Sequence, residues 1–333
     1  MTDYIIQDDL FGNSHVFNAP ISRDNLTKLL IKRVKGISLE RLVSFITNEF
    51  DETIEYIALQ NGAKTCQKTS LLFNPHRLAT RTKNSKAHLL EAFSDDRFLD
   101  GLSRAILFDQ INRIKKGNGK DLLYLVLRLG INGVQYINEF PPHVARDLCH
   151  EHNLDAKSKV LDPCAGWGGR MIGVSTVCNN YDCFEPFTKT FYGLINLYKF
   201  IKSMNNNFDP EIHNIPFEDA RLKESYYDFA VTSPPYYDTE IYTDEKNNSL
   251  NRYKTFESWV NGFYLPMISK TMKALKIGKS FILNIGSRNY PLNEILISEF
   301  GRIYKIKKNK SKLSGASGLG KSGEGESFYE IIK

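Results

Sequence analysis

Two short stretches of the chain concentrate residues with chemical potential. In the first, Asp162-Pro163-Cys164-Ala165-Gly166-Trp167-Gly168-Gly169-Arg170, an acid is followed by three glycines within four residues. Glycines in such a turn let a ligand approach the backbone where a Cβ would stand in the way. The spacing departs from the G-x-G-x-x-G dinucleotide fingerprint, and a carboxylate at the head of the turn would repel a pyrophosphate. It suits a ligand carrying an ammonium or sulfonium group. Glu185-Pro186 begins 23 residues after Asp162. An acid at about that distance, closing a second strand, can accept hydrogen bonds from both hydroxyls of a ribose. A third run ends Ile215-Pro216-Phe217-Glu218-Asp219, where Asp219 could accept from the amino group of adenine. The three acids together fit an adenosine bearing a cationic tail, which is S-adenosylmethionine.

The second stretch is Ser233-Pro234-Pro235-Tyr236. Two prolines stiffen an extended turn. The serine hydroxyl and the carbonyl of the first proline can both accept from one N–H-bearing group, and Tyr236 offers a flat face beside them. That combination suits an amino group on an aromatic ring, whose lone pair is delocalised and poorly nucleophilic. Accepting its hydrogen bonds favours tetrahedral geometry, and stacking holds the ring in line for attack on a sulfonium methyl. Cys164 is a poor candidate nucleophile, since buried cysteines are usually inert.

These residues need a frame that brings strand ends together. After residue 140, strand-like runs alternate with helical ones. Lys159–Leu161 leads into Asp162, Tyr181–Phe184 into Glu185, Tyr227–Thr232 into Ser233, and Ser280–Ile285 into Gly286. Helical patterns at Phe187–Met204 and Phe256–Leu275 lie between them. Such alternation predicts a parallel α/β sheet, with ligands beyond the carboxyl ends of its strands. Arg302–Lys310 and Ser327–Ile332 read as two further strands. Before residue 140 the chain reads as mainly helical. A basic stretch, Asn74-Pro75-His76-Arg77 and Arg81 to Lys86, is read as a surface loop between helical regions.

The order DPCAGWGGR, FEP, FEDA, TSPPY resembles the S-adenosylmethionine-dependent amino-methyltransferases of nucleic acids, which act on cytosine N4 or adenine N6. The similarity spans about residues 138–333, with Phe140-Pro141-Pro142-His143-Val144-Ala145 similar to the segment that covers the methionine end of the cofactor. The resemblance implies a seven-stranded Rossmann-like methyltransferase sheet over 138–333, preceded by a mainly helical region, 1–137, for DNA recognition or cover. It implies that Asp162, Cys164, Ala165, Gly166, Trp167 and Gly168 hold the methionine part, Glu185 and Pro186 the ribose, and Asp219 the adenine. Ser233, Pro234, Pro235 and Tyr236 would form the catalytic pocket. The family usually has Phe where Cys164 stands, so apolar cover must come from elsewhere, with Trp167 and Phe187 as candidates. The S-P-P-Y form points to cytosine N4 in DNA. Many enzymes of that kind place it before the glycine motif, and here it follows. Adenine N6, guanine N2 of RNA, and a catalytically silent nucleic-acid-binding module are the alternatives. A paired restriction enzyme is the protein partner the resemblance allows for.

Composition agrees with a globular chain. Of 333 residues, 41% are hydrophobic and 25% charged, which excludes disordered and collagen-like classes. No apolar run reaches the ~18–20 residues of a membrane span, and no leader pattern opens the chain. Five cysteines without a CxxC pair argue against a disulfide framework or a zinc ribbon and point to a reducing cytoplasm. The net charge of +6 is uneven: +3 over 1–150, −2 over 151–300, and +5 over 301–333. Duplex DNA with a flipped base is therefore expected against the Ser311–Gly323 loop and Lys308, Lys310 and Lys312. Tyr237, Tyr242, Arg252 and Tyr253, in a long loop after the S-P-P-Y turn, are candidates to hold the base or its neighbours. Arg77, Arg81, Lys83 and Lys86 are candidate phosphate contacts in the N-terminal region.

Overall fold

The computed structural model describes residues 28, 35–36, 38–47, 50–66, 68–83, 87–96, 99, 139–286, 289–310 and 327–333. They form two compact units. The smaller takes the described residues up to 47 together with those from 75 to 99. The larger takes 50–74 together with 139–333.

The smaller unit carries helices at Leu39–Ile46 and Leu89–Ala92 and a tight turn at Pro75–Ala79. Leu42, Leu78, Ala87, Ala92, Phe93 and Leu99 are its buried apolar residues among those described. Asn74 and Arg77 are not surface residues. Asn74 is fully buried, and so is the Arg77 side chain, at 1% exposure.

The larger unit is built on seven strands: β1 (Lys159–Asp162), β2 (Asn180–Phe184), β3 (Asp209–His213), β4 (Phe229–Thr232), β5 (Ser280–Ile285), β6 (Lys305–Lys310) and β7 (Ser327–Ile332). Their order across the sheet is β3-β2-β1-β4-β5-β7-β6. The first five run parallel, and β7 enters antiparallel between β5 and β6. This is a seven-stranded Rossmann-like sheet, as the alternation of strands and helices predicts. Its central strands are apolar on both faces because helices cover both: Val160, Leu161, Phe229, Ala230, Val231, Phe281, Ile282 and Leu283 are all buried. The edge strand β3, with sequence DPEIH, is half-exposed and polar. That is why its apolar pattern is faint in the sequence.

Helices α1 (Glu52–Gln60), α2 (Thr69–Phe73), α3 (Pro142–Glu151), α4 (Gly169–Ser175), α5 (Thr188–Met204), α6 (Leu265–Ala274) and α7 (Leu292–Phe300) belong to this unit. Residues 50–74, far from the sheet in sequence, are fastened to it by buried polar contacts. Arg146 donates to the carbonyls of Leu59 (2.6 Å) and Ala63 (2.8 Å), at the end of α1 and in the turn that follows it. The Tyr56 hydroxyl lies 2.9 Å from Ser175 Oγ. Phe73 and Tyr56 both pack on Phe200. The helical pattern read over Phe256–Leu275 is interrupted by a π-helical turn at Val260–Tyr264. Across it the buried residues fall in pairs four apart, Trp259-Val260, Phe263-Tyr264, Met267-Ile268 and Thr271-Met272, a spacing that suits a turn widened to i→i+5. Among the described residues, no helix is long and apolar enough to cross a membrane.

Candidate active site

Parallel register brings the two motifs to one edge of the sheet. Asp162 pairs with Cys183, so Glu185 lies just beyond the carboxyl end of β2. Thr232 pairs with Leu283, which sets Ser233 level with Asn284 on β5. Thr232 ties the motifs together directly. Its hydroxyl donates to Asp162 Oδ1 at 2.8 Å, and its Oγ1 accepts from the Cys164 N–H at 3.1 Å.

Asp162 does not face a ligand. It is 0% exposed, and its carboxylate accepts from Arg170 Nε (2.7 Å) and Nη2 (3.4 Å), the Tyr181 hydroxyl (2.6 Å), Thr232 and the Cys164 N–H (3.2 Å). A carboxylate has about four lone-pair sites, so these donors use it fully. The expected contact with a cationic tail gives way to an internal role: Asp162 is the floor of the glycine turn. Arg170 completes the floor by also donating to the Cys164 carbonyl. Burial and the Asp162 carboxylate hold the Cys164 thiol well above its ordinary pKa, which leaves it unreactive at neutral pH.

Above this floor the turn is open. Gly166 has a φ of +57°, and nothing lies within 4 Å of where its Cβ would be. Gly168, at φ +96°, caps α4 and lies against Leu194 and Leu197, leaving no room for a side chain. Trp167 is buried, and its carbonyl accepts from Asn74 Nδ2 at 3.0 Å. Ala165 is also buried, its N–H donating to the Phe184 carbonyl.

Glu185 is half-buried and accepts from the N–H groups of Gly166 (3.1 Å) and Phe187 (2.9 Å). Loss of water raises its pKa to about 8, against the pull of those two donors. The two donors leave about two lone-pair sites on the carboxylate, enough for a vicinal diol. Pro186, half-buried, stiffens the exit from this acid.

Asp219 is exposed and held by Arg252 in a bidentate pair, Nη1–Oδ2 2.7 Å and Nη2–Oδ1 3.0 Å. Those hydrogen bonds depress its pKa. Arg252 also lies 3.2 Å from the buried Glu218, whose pKa is raised by burial. Two residues that the sequence assigned to different ligands are thus partners of each other.

The S-P-P-Y turn is half-buried except for Pro234, which is buried. Asn284 Nδ2 donates to Ser233 Oγ at 3.2 Å, and the Tyr236 hydroxyl donates to the Asn284 main-chain carbonyl at 3.3 Å. The Ser233 and Tyr236 hydroxyls are 3.5 Å apart.

The long loop that follows is fastened back over the cofactor side of the edge. Tyr242 packs edge-on against Trp167, with centroids 5.7 Å apart, and its hydroxyl donates to Glu240. Glu245 accepts from the Thr188 N–H (3.1 Å) and hydroxyl (2.8 Å) at the first turn of α5, where a carboxylate is favoured. Tyr237 sits in an aromatic cluster with Phe256, Trp259 and Tyr290 and donates to the Lys254 carbonyl. Tyr253 lies over Gly262. These two rings are engaged in packing.

Of the expected basic contacts, Lys308 is exposed on β6 beside the Tyr329 ring. Lys310 closes the same strand. Lys312, Lys86 and the 311–323 loop lie outside the described residues. In the smaller unit, Arg81 pairs with Glu91 and Lys83 is exposed. Arg77 is buried, at 1% exposure, and is not the surface phosphate contact expected of it.

Sequence reading missed three residues of this edge: Asn74, Arg170 as a partner of Asp162, and Asn284. A polar residue just before the end of a buried strand was the available signal for Asn284. Nothing local marks Asn74, which acts on a carbonyl 93 positions away.

No protein-family model matches the sequence, and comparison with curated proteins finds no relative. Solved structures of similar fold include the tRNA (m1A58) methyltransferase TrmI from Aquifex aeolicus, at 16% identity and a TM-score of 0.38, over 59% of this chain and 70% of that one. An rRNA methylase from Streptococcus thermophilus matches at 14% identity and 0.38, over 59% and 98%. A SAM-dependent O-methyltransferase from Thermotoga maritima matches at 10% and 0.41, over 59% and 67%. Likeness at this level carries no argument about substrate, which rests on the residues themselves.

Proposed function

We propose that the protein is an S-adenosylmethionine-dependent amino-methyltransferase of nucleic acid, and that its target is cytosine N4 in DNA. The observation that carries this reading is the stitching of the two motifs, 70 residues apart, by the Thr232–Asp162 hydrogen bond at the carboxyl edge of a parallel sheet. One motif is an open glycine turn beside an acid with unused acceptor sites. The other is a stiff turn presenting a hydroxyl and an aromatic face.

The residues fit the cofactor. Gly166 leaves space over its Cα, and Glu185 keeps acceptor sites for the ribose hydroxyls. Trp167 and Tyr242 form an apolar wall, which replaces the cover that Phe would give at position 164. Asp219 retains acceptor capacity beyond its pair with Arg252 for an adenine amino group. When bound, S-adenosylmethionine supplies a methyl group made electrophilic by its sulfonium.

The acceptor side then has two tasks. Ser233 Oγ and the Pro234 carbonyl accept from the target amine, which reduces conjugation of its lone pair with the ring. Tyr236 stacks on the flipped base and fixes its distance and angle. Such alignment can supply a large share of the acceleration without a strong base.

The test is to incubate the protein with methyl-labelled cofactor and duplex DNA, digest to nucleosides and weigh the product. N4-methylcytosine is expected, and Ser233→Ala and Tyr236→Ala should each slow its formation by roughly a hundredfold to a thousandfold, the scale of removing one polar group at a reacting centre. N6-methyladenine as the sole product would move the target base. Label in transfer RNA but not in DNA would move the substrate. Transfer at an unchanged rate in both variants would overturn the site.

A further inference from the structure

Asn284 is 2% exposed and is the penultimate residue of β5, next to the S-P-P-Y turn. It touches both functional side chains of that turn in different ways. Its side-chain Nδ2 donates to Ser233 Oγ at 3.2 Å, whereas its main-chain carbonyl accepts from the Tyr236 hydroxyl at 3.3 Å. We infer that Asn284 is a positioning residue that fixes which lone pair of Ser233 faces the target amine. The inference rests on the reading of Ser233 as an acceptor for that amine.

The argument is one of directions. A serine hydroxyl has two acceptor lone pairs and one proton that rotates to suit its surroundings. Unrestrained, the proton can point at the incoming amine and present a donor to a donor. The Asn284 amide takes one lone pair and leaves two directions. The Tyr236 oxygen, 3.5 Å away, offers the proton a partner on one side. The remaining lone pair then has a single direction, set by two residues whose own positions are fixed by the β4–β5 register. Losing this restraint changes the hydroxyl's orientation and leaves the cofactor side of the edge intact, because none of the Glu185 or Gly166 contacts above passes through Asn284.

A double-mutant cycle tests this, since interaction energy between two positions appears as non-additivity. Asn284→Ala should lower kcat roughly tenfold to a hundredfold, the scale of a misplaced reacting group. Affinity for S-adenosylhomocysteine, measured by calorimetry, should change by less than about twofold for a site not in contact with it. In a Ser233→Ala background the same substitution should cost less than about twofold, because the group it orients is gone. In a Tyr236→Phe background it should cost less than in the unaltered protein, because the Ser233 proton has already lost one of the two groups that set its direction. Asn284→Val, which fills the space without the donor, repeats the cycle if the alanine variant folds poorly. Additive costs with Ser233→Ala, or an unchanged kcat, would overturn the inference. If Ser233→Ala itself leaves transfer intact, the reading of the site fails instead, so the two failures are distinguishable.

Discussion

Two Asp–Arg ion pairs of the larger unit stand in opposite settings. Asp162 and Arg170 lie under the glycine turn with side chains 0% and 5% exposed. Asp219 and Arg252 fasten the loop after the S-P-P-Y turn with side chains 51% and 26% exposed. Both pairs stand near the carboxyl edge of the sheet and both are made through two guanidinium nitrogens. The first is part of a closed network with Tyr181, Thr232 and the Cys164 main chain. The second is in reach of water and salt. A carboxylate at a strand end is therefore no guide to whether it meets a ligand. Here the buried one supports and the exposed one remains able to exchange partners.

The largest effect should follow from opening the buried pair. Arg170→Ala leaves the Asp162 charge enclosed without its partner. Breaking a buried pair in this way costs about 3–5 kcal/mol. Urea unfolding should show this loss, and cofactor binding should fall with it because the turn loses its floor. A cost below about 1 kcal/mol, the range of exposed pairs, would mean that Asp162 finds water in the folded state and that the two pairs are alike after all.

Glu185 comes next, and its sign is opposite to that of a salt-bridged acid. Its pKa is raised from the ordinary 4.5 to about 8, so the folded state holds a proton that the unfolded state has released. Stability should fall as pH rises from about 4.5 to about 8. Glu185→Gln should remove that slope and stabilise the protein above pH 8 by an amount on the order of a few kcal/mol. Ribose hydroxyls favour the charged form, so cofactor binding near neutrality should release a proton. Calorimetry in buffers of different ionisation enthalpy checks this. Proton uptake, or none, would place the ribose elsewhere.

Asn74→Ala should have an intermediate effect. It strips the Trp167 carbonyl of its side-chain donor, and an unsatisfied buried acceptor costs about 1–3 kcal/mol. Thermal unfolding would show this, with weaker cofactor binding if the turn shifts.

The parts of this edge that were legible in the sequence are those written locally. Asp162, Glu185 and Ser233 each follow a short apolar run, and β-sheet register does the rest. Strands β1, β4 and β5 could be read because they are buried on both sides. Strand β3 could not, because an edge strand needs no apolar pattern. The sequence took the run onward to Ile215–Asp219, which is instead a tight turn at Phe217–Asp219. The attachment of 50–74 to the sheet unit was also illegible. It depends on Arg146, Tyr56 and Asn74, whose partners are about 90 or more residues away. The basic Asn74–Arg77 stretch misled for a related reason. Charge argues for exposure, and only tertiary enclosure keeps Arg77 inside. For the same reason, the role of Asp162 could not be read from its motif, since Arg170 and Tyr181 had first to be placed around it.

The smallest effect belongs to Arg252. An exposed pair contributes about 0–1 kcal/mol, so Arg252→Ala should barely move the unfolding midpoint, and less still at high salt. The informative measurement is DNA binding against salt. A cation that neutralises one phosphate contributes about one unit to the slope of log K against log salt. Arg252 is already paired with Asp219 and lies beside Glu218, so releasing it to a phosphate would leave two carboxylates facing the same backbone. Its substitution should therefore leave the slope unchanged while lowering methyl transfer modestly, through a looser loop. A slope reduced by about one would show that Arg252 trades Asp219 for a phosphate when DNA arrives. That exchange is open to a pair at the surface and closed to the pair under the glycine turn.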